Sequence, residues 1–142
     1  MNDPTNDQQK TDQYSGVRDQ KIRAALDQHW AASDANDFET EHLIYHDDAV
    51  LDYPQSGERI RGREAIQASR MAQPDEKRFN VRRLLGAALL WVSELVVRYG
   101  DRDFRVVSIM EFDADKVIRE TQYFAEPFEP GASRAQWVEP MA

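Results

Sequence analysis

The second half of this chain is a succession of strand-like runs separated by short turn signals. Four runs rich in β-branched and aromatic residues follow Pro74. They cover Phe79–Leu85, Leu89–Tyr99, Phe104–Phe112 and Lys116–Phe124. Tight-turn residues lie between them, at Gly86, Gly100-Asp101 and Asp113-Ala114-Asp115. Because each turn joins neighbouring runs, the pattern predicts an antiparallel meander.

The first half has the periodicity of helices instead. Ile22, Leu26 and Trp30 recur at helical spacing and predict a first helix from about residue 17 to residues 34–36. Asp37 is a typical N-cap for a second, short helix. Three further elements are predicted after it, a strand over Ala49–Tyr53, a returning strand over Glu58–Arg61 and a helix over Arg63–Ala72. Helices followed by a meander predict an α+β fold, with three helices packed in the concavity of a bent, mainly antiparallel sheet.

The length is sufficient for one domain with a substantial core, and not for two. Residues 1–16 are polar and have no periodic apolar positions, so we expect a disordered or extended tail. We expect the folded domain to span residues 17–126. The extension over residues 127–142 is rich in proline, but Phe128 and Trp137 are large apolar anchors, so we expect it to pack on the domain.

Composition argues against several classes of partner. Asp and Glu total 26 against 18 Lys and Arg, and the resulting net charge of −8 argues against nucleic acid or an anionic membrane. The chain has no cysteine, which excludes disulfides, thiolate metal ligands and cysteine nucleophiles. It also lacks a long apolar run and a signal peptide, so we predict a cytoplasmic protein. Phosphate-binding glycine motifs are missing too, and we predict no cofactor.

The second predicted strand of the meander is apolar on both faces. Val92 and Val96 lie on one face, and Trp91, Leu95 and Val97 lie on the other. A strand covered on one side only would alternate apolar and polar residues. Since helices can cover one face, we predict a homodimer built sheet to sheet, with Trp91, Leu95 and Val97 in the interface.

Three short motifs, in this order along the chain, resemble those of a known family. Residues 45–50, YHDDAV, are similar to its Y-x-D-D-A-V, and residues 57–66, GERIRGREAI, are similar to its G-x-x-x-x-G-R-x-x-I. Residues 115–120, DKVIRE, are similar to its D-G-K-I-x-x, with Lys116 where a glycine often stands. Over residues 18–126 the chain therefore resembles the SnoaL-like (polyketide cyclase-like) branch of the nuclear transport factor 2-like superfamily. The resemblance implies a cone-shaped α+β fold that hosts isomerases, dehydratases, cyclases, epoxide hydrolases and non-enzymatic binders.

Asp52 is the first candidate for catalysis. The resemblance implies that ketosteroid isomerase-like members carry a catalytic Asp on the short strand just before a proline, a position that falls here on Asp52 or Tyr53. A carboxylate on an apolar pocket wall could abstract a proton next to a carbonyl, with Tyr53 as a hydrogen-bond donor. The alternative is an Asp52 that accepts hydrogen bonds from the turn N–H groups of residues 55–57.

Glu94, Glu120 and Gln122 lie within predicted strands among apolar neighbours. If they share the concave face, two carboxylates and an amide converge in an apolar cavity, and one carboxylate would be a proton donor. Glu94 and Glu120 are therefore candidates for the acid, and Gln122 is a candidate hydrogen-bond donor to substrate. The alternative is a structural ion pair for each carboxylate, with Arg98 or Arg119.

Trp30, His29 and Phe124 are predicted to complete the pocket, although His29 also fits a hydrogen-bonded core histidine. His42 and His46 lie four residues apart, but a third ligand is missing, and we predict no metal site. The sequence therefore predicts a binding site for a small, apolar carbonyl compound. Two alternatives stay open: cofactor-free acid–base catalysis by an isomerase, cyclase or dehydratase, and a non-catalytic ligand-binding or dimerisation module.

Overall fold

The computed structural model of the protein describes residues 4–141. Over these residues the chain has three α-helices, namely α1 (Pro4–Asp34), α2 (Phe38–Glu41) and α3 (Arg63–Met71). Short 3-10 turns cover His42–Ile44 and Ala132–Arg134. The strands are β1 (Tyr45–Tyr53), β2 (Glu58–Arg61), β3 (Lys77–Ala87), β4 (Leu90–Tyr99), β5 (Arg102–Asp113) and β6 (Lys116–Ala125).

The strands of the described range form one mixed sheet in the order β2-β1-β6-β5-β4-β3. β1 runs parallel to β6, and the other neighbouring strands are antiparallel. The long strands β3 to β6 form the meander predicted from the sequence. The α+β prediction is therefore confirmed, with the helices packed in the concavity of a bent, mainly antiparallel sheet.

One face of α1 and the alternate, inward-facing positions of the strands form the core. On α1, Ile22, Leu26 and Trp30 are buried. On the strands, the buried inward-facing residues include Ala49, Leu51, Trp91, Leu95, Val97, Val106, Met110, Phe112 and Val117. Because successive strand residues point to opposite faces, these positions also determine which polar side chains enter the cone.

The turns of the meander follow the sequence signals at two of three places. Gly100 (φ +60°) and Ala114 (φ +55°) occupy the turns where they were expected, but Gly86 lies within β3 and the turn falls at Ala88 (φ +53°). The prediction of a turn at Gly86 was therefore wrong. A Cβ atom at Gly86 would lie 2.5 Å from the indole of Trp91, so the glycine allows the close approach of that ring.

α1 begins much earlier than the sequence predicted. We expected a disordered or extended tail over residues 1–16, and the structure gives helix from Pro4 onward, with residues 1–3 outside the described range. Pro4 suits the first turn of a helix, and propagating a helix that already exists costs little. No helix of the described range is both long and apolar enough to cross a membrane. The cytoplasmic location stays a prediction.

The predicted dimer contacts lie inside the protomer. Trp91, Leu95 and Val97 are each 1% exposed and face the helices, so the assignment of these three residues to an interface was wrong. The outward face of β4 instead carries Val92 and Val96, which are half-buried in the protomer. A strand that is apolar on both faces does not itself reveal which face meets the helices, and the homodimer stays a prediction.

The C-terminal extension does not use its aromatic residues as anchors in the protomer. Phe128 is 83% exposed and Trp137 is 75% exposed, contrary to the packing that we expected for residues 127–142. The 3-10 turn over Ala132–Arg134 ends three residues before Trp137. The backbone N–H of Trp137 donates to the carbonyl oxygen of Arg134 at 3.0 Å. Local hydrogen bonds of this kind shape the segment without burying its large side chains.

Candidate functional site

A small cavity lies between the helices and the inner face of the sheet, and we call it the inner chamber. Its volume is about 50 Å³, which is enough for a few water molecules but too small for a drug-sized ligand. Its apolar wall consists of Trp30, Phe79, Val97, Tyr99, Val106 and Phe124. Its polar lining consists of His29, Ser33, Glu41, Tyr53, Arg70, Lys77 and Gln122.

A wider cavity of about 550 Å³ lies outside the inner chamber, and we call it the vestibule. Tyr53, Tyr99 and Phe124 line both cavities, and we call these three residues the aromatic neck. The ring centroids of Tyr53 and Tyr99 lie 6.1 Å and 6.4 Å from that of Phe124. The rest of the vestibule is lined by Gln55, Ser56, Glu58, Gln73, Asp75, Arg102 and Phe104.

Glu120 is fully buried next to the polar side of the inner chamber, and four side chains donate hydrogen bonds to it. Its Oε1 accepts from the Tyr45 hydroxyl at 2.5 Å and from Arg70 Nη2 at 3.0 Å. Its Oε2 accepts from Ser108 Oγ at 2.5 Å and from Gln122 Nε2 at 2.9 Å. A carboxylate offers about four lone-pair sites, so these donors occupy all of them.

The same contacts determine the ionisation of Glu120. Burial acts to raise the pKa of its carboxyl, but the positive charge of Arg70 and the hydrogen bonds from Ser108 and Tyr45 outweigh burial and hold the pKa below its ordinary value. Glu120 is therefore an anion at neutral pH. With every lone pair occupied, it is poorly placed to exchange a proton with a substrate. The geometry favours the structural ion pair, although the partner is Arg70 rather than Arg119 or Arg98.

Arg70, on α3, connects this carboxylate to the helical layer. Its Nη1 donates to the Tyr45 hydroxyl at 2.9 Å and to His42 Nε2 at 3.1 Å, and it lies 3.8 Å from Glu41 Oε1. His42 Nδ1 donates in turn to the carbonyl oxygen of Phe38 at 2.6 Å. Because Nε2 of His42 accepts, the ring is neutral, and burial lowers its pKa to about 4. Arg70 is thus held from several sides and has little freedom to turn toward a ligand.

His29, on α1, lines the inner chamber and has one ring nitrogen without a hydrogen-bond partner. Its Nδ1 lies 2.6 Å from the carbonyl oxygen of Glu41, and since a carbonyl can only accept, Nδ1 carries the proton. Its Nε2 is buried and has no hydrogen-bond partner among residues 4–141. Burial lowers the pKa of His29 to about 4, so the ring is neutral at pH 7 and Nε2 is an unused acceptor.

Asp52 lies on the outer face of the sheet. In the parallel pairing of β1 with β6, inward-facing Leu51 is opposite Glu120 and Asp52 is opposite Thr121. The carboxylate of Asp52 accepts two hydrogen bonds from Arg59, at 2.6 Å and 2.8 Å, and this pairing lowers its pKa. A carboxylate with this partner on this face is a poor general base for the chamber. Tyr53, one residue later, faces inward and lines the inner chamber.

Glu94 also lies on the outer face. It is opposite Arg83 on β3 and Val107 on β5, and its Oε2 lies 2.9 Å from Arg83 Nη2. The side chain is partly exposed, and the partner is again different from the Arg98 considered from the sequence. The predicted convergence of Glu94 with Glu120 and Gln122 is therefore wrong, because Glu94 projects from the opposite side of the sheet.

The residues predicted to bind substrate are all brought together. The inner chamber is lined by each of them, namely Tyr53, Gln122, Trp30, Phe124 and His29. Trp30 is fixed there by its Nε1, which donates to Ser93 Oγ at 3.0 Å, and by stacking on Phe79 with ring centroids 6.0 Å apart. Gln122 donates to Glu120, so one of its two amide N–H groups is already in use. Their role as ligand contacts stays a prediction.

Tyr45, Arg70 and Ser108 carry the buried network and were not predicted as site residues. The sequence feature that could have indicated a buried polar network is the pair Ser93 and Ser108. Both interrupt apolar strands at inward-facing positions, where a hydroxyl needs a hydrogen-bond partner. Arg70 gave no such signal, because an arginine near the end of a short helix is usually solvated. The structure buries it only because α3 packs over the sheet.

The histidines do not form a metal site. His46 lies on β1 rather than on a helical turn with His42, and its Nδ1 accepts from the Asp48 N–H at 3.1 Å. Within residues 4–141, no group of three or more His, Asp or Glu side chains is arranged to hold a metal ion.

Comparison with known proteins places the fold of this chain in a wider group. No protein-family model matches the chain, and no curated protein matches it. A solved structure that does match is an NTF-2-like protein of unknown function from Burkholderia xenovorans LB400. It is 51% identical, with a TM-score of 0.84, over 89% of this chain and 99% of that chain.

Two more distant structures share the fold. A candidate ketosteroid isomerase from Kribbella flavida DSM 17836 is 24% identical, with a TM-score of 0.79, over 87% of this chain and 91% of that one. A candidate SnoaL-like polyketide cyclase from Shewanella putrefaciens CN-32 is 16% identical, with a TM-score of 0.62, over 72% of this chain and 79% of that one. At these identities the likeness is one of fold.

Proposed function

This chain belongs to the nuclear transport factor 2-like family, and we propose that it binds a small, largely apolar molecule at the mouth of its cone. In this proposal the body of the ligand lies in the vestibule, and one polar group passes the aromatic neck into the inner chamber. The structures from Kribbella flavida and Shewanella putrefaciens, described as a candidate ketosteroid isomerase and a candidate SnoaL-like polyketide cyclase, support a ligand of this kind.

The observation that carries the proposal is that the two cavities adjoin at three shared aromatic residues. The vestibule of about 550 Å³ has the volume of an ordinary ligand site. It shares Tyr53, Tyr99 and Phe124 with the inner chamber, where the polar groups are held in fixed orientations. An apolar approach that ends at a few positioned polar groups is the usual arrangement of a small-molecule site.

The arrangement favours binding over acid–base turnover by the predicted carboxylates. Asp52 and Glu94 face outward, where Arg59 and Arg83 pair with them. Glu120 faces inward, but its four acceptor positions are occupied. We therefore propose a carrier or sensor of a small molecule in place of an isomerase, cyclase or dehydratase that uses these three residues.

A fragment titration followed by backbone NMR would test the proposal. Uncharged aromatic and alicyclic fragments of one or two rings are added to the full-length, isotope-labelled protein. We expect the amide signals of Tyr53, Tyr99 and Phe124 to shift together in a saturable way, because these residues form the neck. Shifts confined to other surfaces, or no saturable shifts at all, would contradict the proposal.

A matched pair of substitutions makes this test specific. Phe124→Ala removes one ring of the neck, and we expect it to weaken fragment binding by about tenfold, since one aromatic contact contributes about 1 kcal/mol or more. Phe128→Ala removes the same side chain at an exposed position of the C-terminal extension and is expected to leave binding unchanged. Equal affinities for the two variants would show that the fragments bind elsewhere.

A further inference from the structure

His29 Nε2 is an acceptor without a donor in an otherwise satisfied interior. Within the described part of the chain it is the one buried side-chain nitrogen or oxygen that lacks a hydrogen-bond partner. The side chain is 2% exposed, and it lines the inner chamber. Buried polar groups in native proteins are nearly always paired, so an unpaired one calls for an explanation.

The ring cannot turn its free nitrogen away. Nδ1 donates to the carbonyl oxygen of Glu41 at 2.6 Å, and turning the ring by 180° would put Cδ2 in its place and lose that hydrogen bond. The ring also packs edge-on against Trp30 and Tyr45, with ring centroids 4.4 Å and 5.7 Å apart. The orientation of Nε2 is therefore built into the site before any ligand arrives.

The two cationic side chains that line the chamber donate to other acceptors. Arg70 donates to Glu120, Tyr45 and His42, and Lys77 Nζ donates to the carbonyl oxygen of Arg70 at 2.8 Å. None of these hydrogen bonds goes to His29 Nε2, so its lone pair is left for a donor that enters the chamber, either water or a ligand hydroxyl. A purely apolar group, or a group that can only accept, would leave His29 Nε2 unpaired and cost binding free energy.

We infer that the ligand of the proposed site carries an uncharged hydroxyl group that donates a hydrogen bond to His29 Nε2, so that the site prefers alcohols and phenols to the corresponding ethers and ketones. This inference rests on the proposed function and adds the chemical class of the ligand. It also differs from the carbonyl compound that the sequence suggested, because a carbonyl group offers His29 no donor.

Phenol and anisole provide the test, since they share the ring and differ in the donor. Each is titrated into the full-length protein with labelled histidine, and the ring nitrogen signals of His29 are followed by NMR. We expect phenol to bind about tenfold more tightly than anisole, equivalent to ~1.4 kcal/mol, and to shift the His29 Nε2 signal as a hydrogen bond forms. In the free protein the same spectrum should show the tautomer protonated at Nδ1.

Substitution of the acceptor should remove the preference. His29→Phe is expected to bring the affinity for phenol down to that for anisole, and His46→Phe, at an exposed position outside the chamber, should leave the preference intact. Equal binding of the two probes to the wild-type protein with an unmoved His29 signal would overturn the inference while leaving the proposed binding site standing. Failure of both probes to bind would overturn the binding site as well. If His29→Phe does not fold, the wild-type spectra alone decide between these outcomes.

Discussion

At the scale of single residues, the molecule shows how pairing determines what a buried ionisable group can do. Glu120 connects three elements to its own strand, because its donors come from β1, α3 and β5. Removing an ion from water costs several kcal/mol, and full pairing is what offsets that cost. The network is therefore expected to matter more for stability than for proton transfer.

Glu120→Gln tests this expectation. The substitution keeps the shape of the side chain but leaves the buried guanidinium of Arg70 without its main counter-charge, and such losses cost about 3–5 kcal/mol. We expect about 3 kcal/mol of lost unfolding free energy in urea, since Glu41 lies within 3.8 Å and compensates in part. Glu94→Gln is the matched control at the partly exposed pair with Arg83 and should cost less than about 1 kcal/mol. Equal losses for the two variants would contradict the structural role of Glu120.

His29 and His42 should make the stability depend on pH in a defined window. In the folded protein burial lowers the pKa of each to about 4, against an ordinary value of 6.5. The unfolded chain binds more protons between these values, so stability is complete above about pH 6.5 and is lost as the pH falls toward 4. Urea unfolding at several pH values should show this slope, and His29→Gln should reduce it. His46→Gln, at an exposed site, should leave it unchanged, and a flat profile for the wild-type protein would rule out neutral buried histidines.

At the scale of elements, close packing between β3 and β4 depends on a glycine. A Cβ atom at Gly86 would meet the Trp91 indole and the Leu90 carbonyl oxygen at 2.5 Å and 2.6 Å, so one of them must move. Gly16 lies within α1, and a Cβ atom there would meet nothing within 4 Å. The same substitution should therefore have opposite effects in the two elements.

Gly86→Ala is expected to lower the unfolding free energy by about 1–3 kcal/mol, as overpacking does. Gly16→Ala should raise it by up to about 1 kcal/mol, because alanine favours a helix. Thermal melts of both variants check the signs. Two shifts in the same direction would indicate that the strand relaxes around the new methyl group.

The elements could be predicted from the sequence because their signals are local. The period-two runs and turn residues placed β3 to β6 to within a few residues, and β2 was predicted with its observed bounds. The faces could not be predicted with the same success, since a shift of one residue moves a side chain to the other side of a sheet. That single step separates Asp52, which faces outward, from Tyr53, which lines the chamber. The pairing of Arg70 with Glu120 joins residues 50 positions apart, and no local pattern encodes it.

At the scale of the whole molecule, the outer face of the sheet is the surface most suited to a second copy of the chain. Apolar side chains lie side by side there, since Val92 on β4 is opposite Leu85 on β3 and Ile109 on β5. Charges of both signs border them, with Arg83 2.9 Å from Glu94. A face that carries both signs can meet its own two-fold copy without net repulsion.

We therefore expect a homodimer through this outer face, in place of the buried residues first assigned to the interface. Light scattering at micromolar concentration should give about twice the chain mass of 16.4 kDa. Ile109→Glu places a charge at the centre of the apolar patch and should yield a folded monomer, because an interface core excludes unpaired charge. Leu43→Glu is the control, since Leu43 is 51% exposed in the 3-10 turn beside the helices and lies away from the sheet face. A monomeric mass for the wild-type protein, or a dimer that survives Ile109→Glu, would show that the outer face has another role or none.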